Sequence, residues 1–175
     1  MRIRAPLSIV IAHLSFMSAA SGEASVGFDF DRFKNRTTVE MPVFSSILPK
    51  IYAGAVIPVW QFVYAGKQRN GPPSTAYLHF WSMSQDWRFA RCHSVDFLID
   101  EKPTTIRYSR TPDFAGSRAM ETLTINLDNV LLTKLVTAKK LEYRVCTFEG
   151  VFPPTQLESL KARIADSSIA VEPTK

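Results

Sequence analysis

Hydrophobic and polar residues alternate along much of the chain between residues 37 and 127, and this two-residue period predicts a series of short β-strands. In segment 75–83 the odd and the even positions both carry large side chains, and in a strand these positions face opposite sides. This pattern is typical of a strand covered on both faces, so we expect segment 75–83 in the centre of a sheet. Pro58 lacks a backbone donor, which places its strand at a sheet edge or at a bend. The predicted strands are 37–41, 55–64, 75–83, 87–92, 95–99, 104–108 and 121–127.

The segments between these strands are rich in turn residues. Segment 28–36 is expected to be a short lead-in, either helical or a loop. Segments 66–74 and 109–118 carry Gly and Pro and are predicted to be loops.

The last third of the chain changes to a helical period. Asp128 is expected to cap a helix that runs to about residue 138, followed by a strand over 139–148. Thr155 and Glu158 have capping-box spacing, which predicts the start of a closing helix with Leu157, Leu160 and Ile164 on its buried face.

This order of elements predicts a single α+β domain over residues 23–166. We expect a mostly antiparallel sheet of about six to seven strands, with two helices late in the chain. A β-sandwich with peripheral helices is the alternative. The last residues, 167–175, are expected to be a disordered tail.

The first 22 residues have the pattern of a cleaved signal peptide. Arg2 and Arg4 precede an apolar stretch over 7–20, and small residues follow, which favours cleavage near Gly22. Fourteen residues are short for a helix that spans a bilayer, so a cleaved signal peptide is favoured and an uncleaved membrane anchor is the alternative. The apolar stretch 51–65 is also too short, so no transmembrane segment is expected in the mature chain. The protein is therefore predicted to be periplasmic or secreted.

Charge adds little to this interpretation. The whole chain carries a net charge of +5. Removing Arg2 and Arg4 leaves 19 basic and 16 acidic residues, a net charge of +3 without a long basic run. Nucleic acid is therefore not an expected partner.

The chain has two cysteines, Cys92 and Cys146, and an even count in an exported protein predicts a disulfide between them. Strand alternation would place both on the outer face of a sheet, on neighbouring strands. Two unpaired thiols are the alternative.

Three stretches carry a resemblance: Phe33 to Val39, Trp87 to Cys92, and Glu121 to Ala138. Together they resemble a family of uncharacterised exported bacterial proteins over most of the mature chain. The resemblance implies a bacterial, extracytoplasmic origin. It implies no activity and no functional residue.

No grouping of residues predicts catalysis, a metal site or a cofactor. The mature chain offers only His79 and His93 as histidine bases, and no nucleophile motif accompanies them. His93 and Asp96 are spaced to meet, but two ligands do not make a metal site. The acidic residues near turns do not have calcium-loop spacing; they are Asp29, Asp31, Asp96, Asp100 and Glu101.

Aromatic residues in the first strands give the remaining functional hint. They are Trp60, Tyr64, Tyr77, Trp81 and Trp87, and such rings either stack on ligands or fill a core. We expect a non-enzymatic binding module that contacts an envelope protein or polymer through a sheet face, an edge strand or the 66–74 loop. The alternatives are a cell-envelope hydrolase with carboxylate or histidine chemistry and a carrier of small ligands or lipids.

Overall fold

A computed structural model describes residues 26–43, 54–69 and 71–165. The predicted signal peptide (1–22) and tail (167–175) lie outside these ranges. The described residues form ten strands and two late helices, which confirms the α+β class. The elements are β1 (Gly27–Asp31), β2 (Arg36–Pro42), β3 (Val56–Ala65), β4 (Thr75–Ser84), β5 (Ser94–Ile99), β6 (Lys102–Arg107), β7 (Ser109–Ala115), β8 (Arg118–Leu127), α1 (Asn129–Val136), β9 (Leu141–Val145), β10 (Phe148–Val151) and α2 (Pro154–Ala165).

The strands divide into two antiparallel sheets rather than one. The first sheet has the order β1-β2-β3-β4-β8-β7, and the second has the order β10-β9-β5-β6. Strand β4 is central, as its two-sided pattern predicts. Its Leu78 and Phe80 are fully buried, whereas Tyr77 and His79 on the opposite face are only partly covered.

The two sheets and both helices share one hydrophobic core. Phe80 of the first sheet contacts Phe97 and Tyr143 of the second, with ring centroids 6.5 and 5.0 Å apart. Aromatic pairs at such distances stabilise a core beyond the burial of their area. Leu135 of α1 and Leu160 of α2 are fully buried in the same cluster.

Both helices occur where the sequence predicts them, but only the first has the predicted cap. The Asp128 carboxylate accepts the backbone N–H of Leu131 at 2.7 Å, as expected of an N-cap. Helix α2 begins at Pro154, so Thr155 lies inside the first turn rather than at the cap. The predicted strand 139–148 is a hairpin of β9 and β10. None of the helices in the described ranges is long and apolar enough to cross a bilayer.

Three segments differ from the element predicted for them. Segment 28–36 contains a strand, β1, because Phe28 and Phe30 alternate with aspartates and pair with β2. Segment 109–118 contains β7, which tolerates Pro112 because it is an edge strand. Segment 87–92 is a loop rather than a strand, because a buried carboxylate takes two of its backbone N–H groups, as described below.

Pro58 does not place β3 at an edge, because β3 pairs with both β2 and β4. Its carbonyl accepts the backbone N–H of Val43, one residue past the end of β2. Because the N–H and C=O of a strand residue face the same neighbour, the missing donor of Pro58 faces Val43 at the end of β2, and the pairing with β4 is unaffected.

Candidate functional site

Cys92 and Cys146 form a disulfide, with their Cα atoms 5.9 Å apart. Neither cysteine lies within a strand, so their predicted placement on an outer sheet face is wrong. Cys92 ends the loop between β4 and β5, and Cys146 begins the two-residue turn between β9 and β10. The bond therefore fastens the loop to the second sheet. A disulfide of this kind is compatible with an extracytoplasmic location.

Glu121 of β8 holds the other end of this loop. Its carboxylate is 1% exposed and accepts the backbone N–H groups of Arg88 and Phe89, at 2.7 and 3.2 Å. The Arg110 guanidinium donates to it at 2.7 Å. A buried carboxylate needs such partners to offset its lost hydration. All three donors occupy Glu121, so its role is structural.

The histidines and Asp96 are not brought together as a catalytic group. Nδ1 of His79 lies 3.0 Å from the Thr124 hydroxyl, and its Nε2 is closed off from solvent. Burial lowers the pKa of His79, so the ring is neutral at pH 7. His93 is exposed beside the disulfide, while Asp96 binds Arg144 and Thr105. No group of three potential metal ligands occurs within the described ranges.

The aromatic residues that the sequence singled out separate into two groups. Trp60 and Tyr64 are fully buried and belong to the core. Tyr77 and Trp81 are partly covered on the outer face of the first sheet. Trp87 is more exposed and packs edge-on against Phe114, with the ring centroids 5.0 Å apart.

A groove of about 500 Å³ lies on the second sheet. Its charged groups pair with one another across the strands, since Arg144 contacts Asp96 at 2.8 Å and Glu149 at 3.8 Å. The Arg144 guanidinium holds the pKa of Asp96 below its ordinary value. The groove thus presents charges that already have partners, together with the exposed side chains of Leu98 and Val151.

A different surface concentrates cations beside exposed rings. It lies at one end of the first sheet, where the turn over 32–35 joins β1 to β2 and the segment 66–69 leaves β3. The two segments are tied together, because the backbone N–H of Gly66 donates to the Asn35 carbonyl at 2.7 Å. We call this surface the cationic tip: residues 28–36 and 66–69, together with Arg163 at the end of α2.

The turn of the cationic tip is built by its own sequence. The Asp31 carboxylate accepts the backbone N–H groups of Phe33 and Lys34, at 3.0 and 3.1 Å. These bonds hold the pKa of Asp31 below its ordinary value. Asn35 adopts a φ of 44°, a left-handed conformation that asparagine tolerates well. The ordered turn holds Phe33 outward, with 86% of the residue exposed.

Each exposed ring of the tip has a cation over its face. The Arg32 guanidinium lies 4.8 Å from the centre of the Phe33 ring, and the Lys67 ammonium lies 5.7 Å from that of Phe30. The Arg69 guanidinium lies 4.7 Å from the centre of the Phe28 ring. Contacts of this kind are favourable at exposed sites. Phe28 and Phe30 remain 46% and 38% exposed.

The tip is strongly positive. Five exposed cations lie on it, and they are Arg32, Lys34, Arg36, Lys67 and Arg69. Two carboxylates offset part of this charge: Asp31 pairs with Lys34 at 3.7 Å, and Asp29 is exposed on β1. Charges of one sign held this close together attract an anionic surface over about one Debye length.

Sequence reasoning missed both Glu121 and the tip, although each left a signal. Glu121 lies in the same phase of its strand as Leu123 and Ile125, and a carboxylate in a buried phase requires partners. The tip was signalled by the alternating Phe28 to Asp31 segment and by the turn residues that follow it. The predicted binding loop, 66–74, does contribute Lys67 and Arg69.

Comparisons of the chain with models of protein families, with curated proteins and with solved structures find no significant match.

Proposed function

We propose that this protein is an exported, non-enzymatic binding module of the cell envelope, and that the cationic tip is its contact surface. The observation that carries the proposal is the set of five exposed cations on the same tip as three exposed phenylalanine rings, of which Phe33 is the most exposed. An anionic component of the envelope complements this surface in charge. The predicted signal peptide and the disulfide support residence outside the cytoplasm, in the periplasm or after secretion.

The tip supports binding rather than catalysis. It holds three phenylalanine rings with arginine and lysine side chains beside them, a combination suited to contact through charge and apolar surface. Binding through such a surface weakens as salt screens it, because the Debye length falls from about 10 Å at 0.1 M to about 3 Å at 1 M.

Sedimentation with isolated cell envelopes tests the proposal. We expect the chain to pellet with envelopes at 0.1 M salt and to be released as salt is raised. The double variant Lys67→Ser/Arg69→Ser should bind about tenfold more weakly, because it removes two of the five cations. The matched control Lys102→Ser/Arg107→Ser removes two exposed cations from β6 and should bind as the original chain does.

Equal loss in both double variants would indicate a general charge effect and would contradict a role for the tip. The other two functions that the sequence leaves open have their own readouts. Turnover of an envelope substrate would support a hydrolase, and a small molecule or lipid retained through purification would support a carrier.

A further inference from the structure

The chemistry of the cationic tip also selects among anionic components of the envelope. Binding to a charged polymer needs only the cations, yet the turn also holds an aromatic ring outward in their midst. Phe33 is 86% exposed, the largest exposed fraction among the large hydrophobic residues described. Single exposed rings are common on protein surfaces. This ring, however, stands at the end of the sheet, on a turn ordered by Asp31, with cations on either side of it.

The arrangement of the rings disfavours stacking on sugars. Phe28, Phe30 and Phe33 each have a cation 4.7–5.7 Å from the ring centre, so one ring face is already occupied and a sugar would have to stack beside a bound cation. The tip is also a projecting turn rather than a groove, so an acidic protein would need a matching pocket. A bilayer surface needs none, since its lipids move laterally around whatever enters.

An anionic bilayer interface satisfies both components of the tip. Cations near such a surface each contribute about a fivefold gain in affinity, by attraction to the anionic headgroups. Aromatic and aliphatic side chains on the same surface enter the boundary between headgroups and acyl chains. The tip offers both together, because Phe33 is its most exposed ring and cations of 32–36 and 67–69 lie on the same surface.

We infer that the cationic tip docks on anionic phospholipid bilayers, with Phe33 inserted at the headgroup boundary and the surrounding cations on lipid phosphates. This inference rests on the proposed function and names its ligand. The protein is then a peripheral membrane binder whose attachment depends on both anionic lipid and one aromatic side chain.

The chain contains its own matched control for the ring. Phe114 is 67% exposed and precedes the turn between β7 and β8. That turn lies at the opposite end of the first sheet, because Phe114 pairs with Ala119, and Ala119 pairs with Ser84 at the far end of β4. Ala76 lies near the end of β4 that is closer to the tip, and Ser84 lies eight positions further along the strand. The two ends are therefore about 26 Å apart.

Vesicle sedimentation tests the inference, with the chain in the form purified from the envelope. Vesicles of phosphatidylcholine containing about a third phosphatidylglycerol should bind it, and pure phosphatidylcholine vesicles should bind it far less. Phe33→Ala should weaken binding about tenfold, because the lost ring no longer leaves water. Phe114→Ala should bind as the original chain does. All of these chains share the same N-terminal segment, so its contribution cancels.

Insertion has a separate readout. A tryptophan introduced by Phe33→Trp should be quenched by lipids brominated near the headgroup, relative to the unsubstituted chain. A tryptophan introduced by Phe114→Trp should not be. Equal affinity of Phe33→Ala and the original chain, or equal binding to neutral and anionic vesicles, would overturn the inference.

The outcomes also separate this inference from the proposed function. If the chain still pellets with envelopes from which lipids have been extracted, and the loss in Lys67→Ser/Arg69→Ser persists, the ligand is a polymer or an acidic protein. The lipid inference then fails while the binding module stands. If neither envelopes nor anionic vesicles bind in a salt-dependent manner, both proposals fail.

Discussion

Replacing Glu121 by Gln should cost this fold a large share of its stability. The carboxylate accepts three hydrogen bonds: Oε2 from the backbone of Arg88, and Oε1 from the backbone of Phe89 and from Arg110. An amide keeps the volume but turns one oxygen into a donor, which then faces another donor. One buried N–H is left without an acceptor, at a cost of about 1–3 kcal/mol.

Loss of the negative charge adds to this cost. The Arg110 side chain is 25% exposed, so water can solvate its charge in part when the carboxylate is gone. The lost ion pair therefore lowers the free energy of unfolding by only about 1 kcal/mol more. We therefore expect Glu121→Gln to lower the free energy of unfolding by roughly 2–4 kcal/mol, against a typical total of about 5–15 kcal/mol.

Urea unfolding with the disulfide intact measures this loss, provided that the m-value is unchanged. Glu142→Gln is the control, because Glu142 pairs with Lys140 at a more exposed position and should lose less than about 1 kcal/mol. A loss below about 1 kcal/mol for Glu121→Gln would refute the view that this carboxylate anchors the loop over residues 86–93.

Three further predictions concern the second sheet and its attachments. Reducing the Cys92–Cys146 bond, which links positions 54 residues apart, should lower the unfolding free energy by about 4 kcal/mol, measured by urea titration with and without reductant. Gly150→Ala should destabilise by about 1–3 kcal/mol, because its Cβ would overlap the Tyr143 ring; an unchanged melting temperature would contradict this. Burial raises the pKa of Tyr143 to about 12, above its ordinary value of 10, so its contribution to stability is complete below pH 10 and is lost as pH rises towards 12. Absorbance titration of the folded protein should show this late ionisation, which Tyr143→Phe should remove.

The sequence predicts the elements whose hydrophobic pattern matches the burial seen in the structure. The two-sided pattern of β4 predicts its central position, and Asp128 predicts the start of α1. The wrong predictions occur where contacts with residues distant in the sequence determine the local structure. The loop 87–92 has strand-like alternation, but Glu121, more than 30 residues away, accepts two of its N–H groups, so they are not available to a strand partner.

The candidate site illustrates the same limit. Lys67 and Arg69 lie within a loop whose composition marks it as exposed, and the sequence singled out that loop for binding. The sequence does not show that Gly66 bonds to Asn35, about 30 positions earlier, and this bond joins the two cationic segments. Exposure of Phe33 likewise depends on pairing between β1 and β2, since the same ring in a helix or a loose lead-in could turn inward.

Crosslinking inside living cells tests the cationic tip as the contact surface most directly. A photocrosslinking amino acid replaces Phe33 in one chain and Phe114 in another, and the products are identified by mass spectrometry. We expect position 33 to yield products with envelope phospholipid, and position 114 to yield few or none. Equal yields at the two positions, or no envelope product at position 33, would contradict the assignment of this surface.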